Sequence, residues 1–138
     1  MTLSSGDVFL LRDFGTTGYD PHYRIVVHKT ASNDLILVYP SKQIEKVKSR
    51  CFRDAGLDSS STLPDQYVEI PVGSCLALPR LCAVDCNKAY MKTESECVNG
   101  FDFKPRNGKL DPALIAKIRY GIEKSDVVSE FIKLAFNQ

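Results

Sequence analysis

His22-Tyr23-Arg24-Ile25-Val26-Val27-His28-Lys29-Thr30-Ala31-Ser32-Asn33-Asp34-Leu35-Ile36-Leu37-Val38-Tyr39-Pro40 holds two runs of strand length joined by a turn, and it decides the fold class. Tyr23 to Lys29 is rich in β-branched residues, which pack well on a pleated, half-buried surface. Ser32-Asn33-Asp34 turns the chain, because short polar side chains bond their own backbone and tolerate turn conformations. Leu35-Ile36-Leu37-Val38-Tyr39 is a continuous apolar run that reads as a central strand. Pro40 halts it, since proline cannot donate to a sheet ladder.

Upstream, Gly6-Asp7 precedes Val8-Phe9-Leu10-Leu11, a further strand, so three strands form a meander. Asp13-Phe14-Gly15-Thr16-Thr17-Gly18-Tyr19-Asp20-Pro21 lies between the first two strands and reads as a long loop rather than a tight hairpin. Loops of that length often carry function.

Downstream, residues 41–53 turn polar and basic, with Ile44 and Val47 three apart. That spacing permits a short helix or an irregular excursion. Residues 58–65 are a solvated loop by composition, and Tyr67-Val68-Glu69-Ile70 alternates as a fourth strand before the stop signal Pro71-Val72-Gly73. Leu81-Cys82-Ala83-Val84 and Ala89-Tyr90-Met91 are shorter strands separated by a turn at Asp85-Cys86-Asn87-Lys88. In the tail, Asp111 suits a helix N-cap, Pro112 the first helical position, and Leu110 with Ile115 a hydrophobic staple. Leu114, Ile115, Ile118 and Ile122 share one helical face; after Ser125-Asp126 so do Val127, Val128, Phe131, Leu134 and Ala135. Two short helices or one bent helix satisfy that pattern.

The reading is therefore a mainly β chain with C-terminal helices, an α+β class, in a single domain over residues 1–138. Hydrophobic residues at 43% and charged residues at 25% are ordinary globular usage. A formal net charge of +1 supplies no global attraction to nucleic acid or anionic lipid, so any such role must rest on a local patch. No stretch approaches the roughly 18 apolar residues of a membrane span, and the first six residues lack the basic start and apolar run of a signal peptide. The expectation is a cytoplasmic protein without membrane attachment. Five cysteines are an odd number, which suits reduced thiols better than a disulfide framework.

Taken in order, several motifs resemble the MazF/PemK family, the toxin half of bacterial toxin-antitoxin pairs. Gly6-Asp7-Val8-Phe9 is similar to its opening strand, and His22-Tyr23-Arg24-Ile25-Val26-Val27 to its strand bearing a basic residue. Leu37-Val38-Tyr39-Pro40-Ser41-Lys42-Gln43-Ile44-Glu45-Lys46 resembles the strand that ends at Thr or Ser. Val68-Glu69-Ile70-Pro71-Val72-Gly73 and Asn107-Gly108-Lys109-Leu110-Asp111-Pro112 resemble a later strand and the lead into the C-terminal helix. The resemblance covers nearly the whole chain and rests on the ordered set, since each motif alone is common. The sequence departs from the pattern at three places: Ile25 stands where Pro usually follows the arginine, residues 48–66 are longer than usual, and the acidic position of the fifth strand falls on Asp85 or on Cys86.

The resemblance implies an SH3-like β-barrel of the MazF/PemK/CcdB type and a metal-independent, sequence-selective endoribonuclease. Such an enzyme drives the ribose 2′-hydroxyl of single-stranded RNA onto the adjacent phosphorus. It also implies a homodimer, a cognate antitoxin as partner and no cofactor. Arg24 would clamp the phosphate, because a guanidinium is always charged and its planar fork matches two oxygens. Ser41 would donate to the same phosphate. His22, two residues before Arg24 and so on the same strand face, would carry a proton near neutral pH. Lys42, Lys46 and Lys48, within a basic run that continues to Arg50 and Arg53, would track the backbone, and Tyr19 and Tyr23, with Tyr39, would offer faces for base stacking.

Each of these has a plainer reading. A strand arginine ordinarily faces solvent, a serine after proline is ordinarily a turn residue, a basic run is ordinarily a solvated face, and Tyr23 and Tyr39 serve equally as barrel packing. The alternative function is a barrel of the same fold that has lost catalysis and binds a protein or nucleic-acid partner, with a redox role for Cys82 and Cys86 as a third idea. Zinc is disfavoured because Cys82 and Cys86 have three residues between them and only two histidines exist. Asp13-Phe14-Gly15 matches the kinase metal-binding triplet by chance, with no accompanying kinase motif.

Overall fold

The structure, a computed structural model, describes residues 2–12, 21–58 and 62–138. The meander is present: β1 (Val8–Leu11), β2 (His22–Lys29) and β3 (Asp34–Val38) pair antiparallel in sequence order. The β2–β3 turn is closed by Thr30, whose N–H donates to Asp34 O (2.9 Å) and whose Oγ1 accepts from Asp34 N (3.1 Å). Asn33 takes a φ of 65°, a left-handed conformation that asparagine tolerates better than most residues.

Pro40 ends β3 in this sheet but does not end pairing. After the single residue Tyr39, β4 (Pro40–Ser41) pairs with a second sheet, where proline is accommodated on an edge strand. The polar segment resolves as a helix, α1 (Ile44–Asp54), which buries Phe52 and packs Val47 and Cys51 in a small cluster with Tyr67 and Ala83. β5 (Tyr67–Ile70) and β6 (Cys82–Asp85) complete the second sheet in the order β4-β6-β5. A 3-10 turn (Cys86–Lys88) leads to β7 (Tyr90–Thr93), which returns to the first sheet beside β3. Two elements went unforeseen: α2 (Glu94–Val98) and β8 (Lys104–Arg106), the latter an exposed edge strand beside β1. The first sheet thus reads β7-β3-β2-β1-β8.

Among the described residues all strand pairings are antiparallel and form two open sheets. The class is mainly β with helices, as expected; in place of a closed barrel there are two open ladders, and the chain passes from one to the other at Tyr39. The first sheet is covered on both faces. Val8, Ile25, Val27, Ile36 and Val38 join β5, β6 and the C-terminal helices in the main core; Phe9, Leu11, Val26, Leu35 and Leu37 join Cys97 of α2 in a second one. Double-sided burial accounts for apolar runs in β2 and β3 where a half-exposed strand would alternate.

The tail is two helices, α3 (Pro112–Lys124) and α4 (Glu130–Ala135). Asp111 Oδ1 accepts from Ala113 N at 2.9 Å, Pro112 opens the helix, and Leu110 and Ile115 meet the same core. α3 lies against β5, the 3-10 turn and β2, so it closes the main core. The break comes at buried Ser125, whose Oγ accepts from Val127 N and Val128 N and donates to Asn87 Oδ1. The second apolar set is only partly a core face: Val128 and Ala135 are buried, whereas Val127, Phe131 and Leu134 are exposed. No helix among the described residues is long and apolar enough to cross a membrane.

Candidate functional site

The site is built where β2, β3 and β7 lie side by side. Val26 stands opposite Leu37 and Leu37 opposite Tyr90, so stepping two residues along β2 and β3 brings Arg24 and Tyr39 onto the face that carries Tyr90. There the Arg24 side chain is fully buried. Its Nε–H donates to Tyr90 Oη at 2.6 Å, its Nη1 donates to the His22 carbonyl at 2.9 Å, and its Cζ lies 4.4 Å from the centroid of the Tyr39 ring. Tyr39 and Tyr90 are stacked, with centroids 5.1 Å apart and planes 20° from parallel. Burial outweighs the opposing pull of Arg24 and holds the Tyr90 phenol above its ordinary range, so it is neutral at physiological pH.

Ser41 follows two residues after Tyr39, half-buried on β4 and paired with Ala83. Its Oγ accepts from Gln43 N at 3.1 Å, a turn that leads the chain into α1 and uses an acceptor lone pair while the hydroxyl keeps a proton to donate. β2 touches β4, so Arg24 and Ser41 come to the same corner of the two sheets. His22 is exposed at the start of β2, and what it brings to Arg24 is its carbonyl rather than its ring.

The basic run divides. Lys42 and Lys46 are exposed, while Lys48 is half-buried, 3.9 Å from Glu45 Oε1 and 5.7 Å from the centroid of the Tyr67 ring. Arg50 lies 3.2 Å from the Asp85 carboxylate, and Arg53 3.6 Å from Asp54. Tyr23 faces away from Arg24: it packs on the main core, and its hydroxyl accepts from Arg106 Nη2 at 3.2 Å. Tyr19 lies outside the described residues.

No family model matches the chain, and no curated protein matches its sequence. Solved structures do match, among them "Endoribonuclease in complex with its cognate antitoxin from Mycobacterial species", with a TM-score of 0.52 and 14% identity over 88% of this chain and 91% of that one. The chain shares that fold. At such identity the likeness speaks for architecture, and the chemistry has to be argued from the residues.

Asp85 and Cys86 are both buried, and they do different things. Asp85 Oδ1 accepts from Asn87 N at 3.0 Å and Oδ2 accepts from Arg50 Nε, so the carboxylate fastens α1 to the turn after β6. Cys86 packs in the main core, where burial raises its thiol far above the ordinary value. Nearby, Cys51 is pushed up to about 12, first by burial and then by the Asp85 carboxylate. All five cysteines are buried and outside any disulfide, as packing residues are. Among the described residues, no group of three or more His, Cys, Asp and Glu is arranged to hold a metal ion.

Two shallow hollows of about 420 and 400 Å³ flank α2, lined by Thr93, Ser95 and Asn99 among others. They hold neither Arg24 nor Ser41. Thr93 and Glu96 there are engaged in a reciprocal capping box, so these hollows present the framework of α2 rather than convergent chemistry. Sequence reasoning missed Tyr90 entirely and named Tyr39 only for base stacking or packing. The register alone reveals both, since Arg24 and Tyr90 are 66 positions apart.

Proposed function

We propose that the chain is a metal-independent, sequence-selective endoribonuclease toxin that cuts single-stranded RNA. In this reading it is one domain on an SH3-like barrel, a cytoplasmic homodimer held in check by a cognate antitoxin. The shared fold with a protein described as an endoribonuclease bound to its antitoxin supports the class. The observation that carries the reading is Arg24, held by Tyr39 and Tyr90 at the corner where the chain passes to Ser41.

The ribose 2′-oxygen attacks the adjacent phosphorus, a new O2′–P bond forms, and the P–O5′ bond breaks to leave a 2′,3′-cyclic phosphate. Arg24 offsets the negative charge that builds on the phosphoryl oxygens, where fixed donors are most effective. Ser41 donates to one of those oxygens. His22 passes the proton lost by the 2′-hydroxyl to the departing 5′-oxygen, directly or through water. Lys42, Lys46 and Lys48 guide the RNA backbone, and Tyr19 receives a base by stacking, a role that Tyr23, packed on the main core, does not share.

A second reading, a module of this fold that binds a partner without cutting RNA, is favoured by the complete burial of Arg24. Incubating the purified protein with single-stranded RNAs in EDTA separates the two. Endoribonuclease action gives cyclic-phosphate ends in wild type, and Arg24→Ala lowers the rate by about a hundredfold or more, the range seen when one transition-state donor is removed. Ser41→Ala should lower it in the same direction. A wild type that cuts nothing, or an Arg24→Ala variant that cuts equally well, refutes the catalytic reading.

A further inference from the structure

Arginine carries its charge at the end of a long, flexible side chain, and a phosphate clamp requires that charge in one geometry. Three contacts among the described residues are in place to restrain it. The His22 carbonyl takes Nη1, the Tyr39 ring lies against the guanidinium face, and Tyr90 Oη takes Nε–H. The first is backbone and cannot be varied by substitution, and the second fixes distance from a plane but not rotation within it. Of these three, the Tyr90 hydroxyl is the side-chain contact that acts on the in-plane direction.

Tyr90 is itself well fixed. It stands opposite Leu37 in the ladder, and its ring stacks on Tyr39, so the same pair of rings holds both the guanidinium face and the oxygen that Nε meets. A carboxylate at that point would orient the group and offset its charge; a phenol orients it and leaves the charge uncompensated by that contact.

We propose that Tyr90 is a positioning residue for Arg24, fixing the plane of the guanidinium so that it meets the scissile phosphate in one orientation. The proposal rests on the reading of Arg24 as the phosphate contact. Tyr90→Phe is the discriminating variant, because it keeps the aromatic ring and removes the hydroxyl that accepts from Arg24 and also bonds Tyr39. It should lower kcat on single-stranded RNA by about tenfold, the order expected for a hydrogen bond to a charged group. KM should stay within about twofold of wild type, since the loss falls on a contact made in the transition state. In an Arg24→Lys background, which has no Nε–H to donate, Tyr90→Phe should have no further effect; a merely structural Tyr90 would cost as much there as in wild type.

The Nε–H resonance of Arg24 in wild type gives a readout apart from catalysis and apart from how the variant folds. It should be resolved and slow to exchange with water, and a fast-exchanging Nε–H overturns the proposal. If Arg24→Ala abolishes cleavage while Tyr90→Phe keeps the wild-type kcat, the positioning role falls and the arginine reading stands. If wild type cuts no RNA, both fall.

Discussion

A guanidinium enclosed on a sheet face is costly unless its donors are met, and Arg24 is met by a phenol, a carbonyl and an aromatic face. Arg24 and Ser41 were legible in the sequence only through the order of motifs around them. Nothing in the local pattern separates Arg24 from a solvated strand arginine, because burial there comes from strands far along the chain. Cysteines pose the opposite case: their burial followed from apolar surroundings, and the structure adds a charge. Cys51 donates toward Gln66 O and lies near the Asp85 carboxylate, so its thiol is held protonated up to about 12, against an ordinary 9.0. Between those values the folded state keeps a proton that the unfolded chain loses, so stability falls as pH rises through that window. Tyr67, raised by burial and Glu69, acts in the same direction. The urea midpoint should therefore drop between pH 8 and pH 10, and Cys51→Ser should flatten the drop. Cys51 in the native protein should also resist alkylation at pH 8, and reaction at the rate of a free thiol would contradict this account.

At the scale of elements, the meander, the fourth strand and the capped tail were legible because each has a local cause: β-branched runs, strict alternation, an Asp-Pro cap. β8 was not, since Lys104-Pro105-Arg106 has no apolar pattern and is a strand only because β1 offers it an edge. α2 left a signal that went unused, the Thr93-Glu94-Ser95-Glu96 capping box. The course of the tail past Ser125 was only half legible, because helical periodicity cannot say which apolar face meets the body. What locks α3 to that body is a residue without a side chain. A Cβ on Gly121 would come within 2.5 Å of Asp65 O and 2.7 Å of Cys86 Sγ. The helix must then move off the 3-10 turn and strain the Ser125–Asn87 contact beside it. Gly121→Ala, which raises helix propensity, should nonetheless destabilise the protein by about 1–3 kcal/mol, the usual cost of overpacking. Chemical denaturation measures it, and a stabilised variant would mean that α3 is packed less closely than described.

For the molecule as a whole, a net charge of +1 means that attraction to RNA cannot be a property of the surface at large. It has to be local, and the structure sorts the basic run more finely than its sequence could. Lys48, Arg50 and Arg53 each lie near a carboxylate, of Glu45, Asp85 and Asp54, whereas Lys42, which follows Ser41, and Lys46, in the first turn of α1, are exposed. A cation already beside a carboxylate releases little counterion when a phosphate arrives, so the salt dependence of RNA binding should come chiefly from Lys42 and Lys46. For single strands each neutralised phosphate contributes about 0.7 to the slope of log affinity against log salt. Lys42→Gln with Lys46→Gln should then reduce that slope by about 1.4, while Lys48→Gln alone should change it by well under 0.7. Anisotropy titrations of an RNA with 2′-deoxy substitution at the cut site, over a series of KCl concentrations, read the slope without cleavage. If the double variant keeps the wild-type slope, the RNA path does not run past the start of α1, and the basic run is a solvated face.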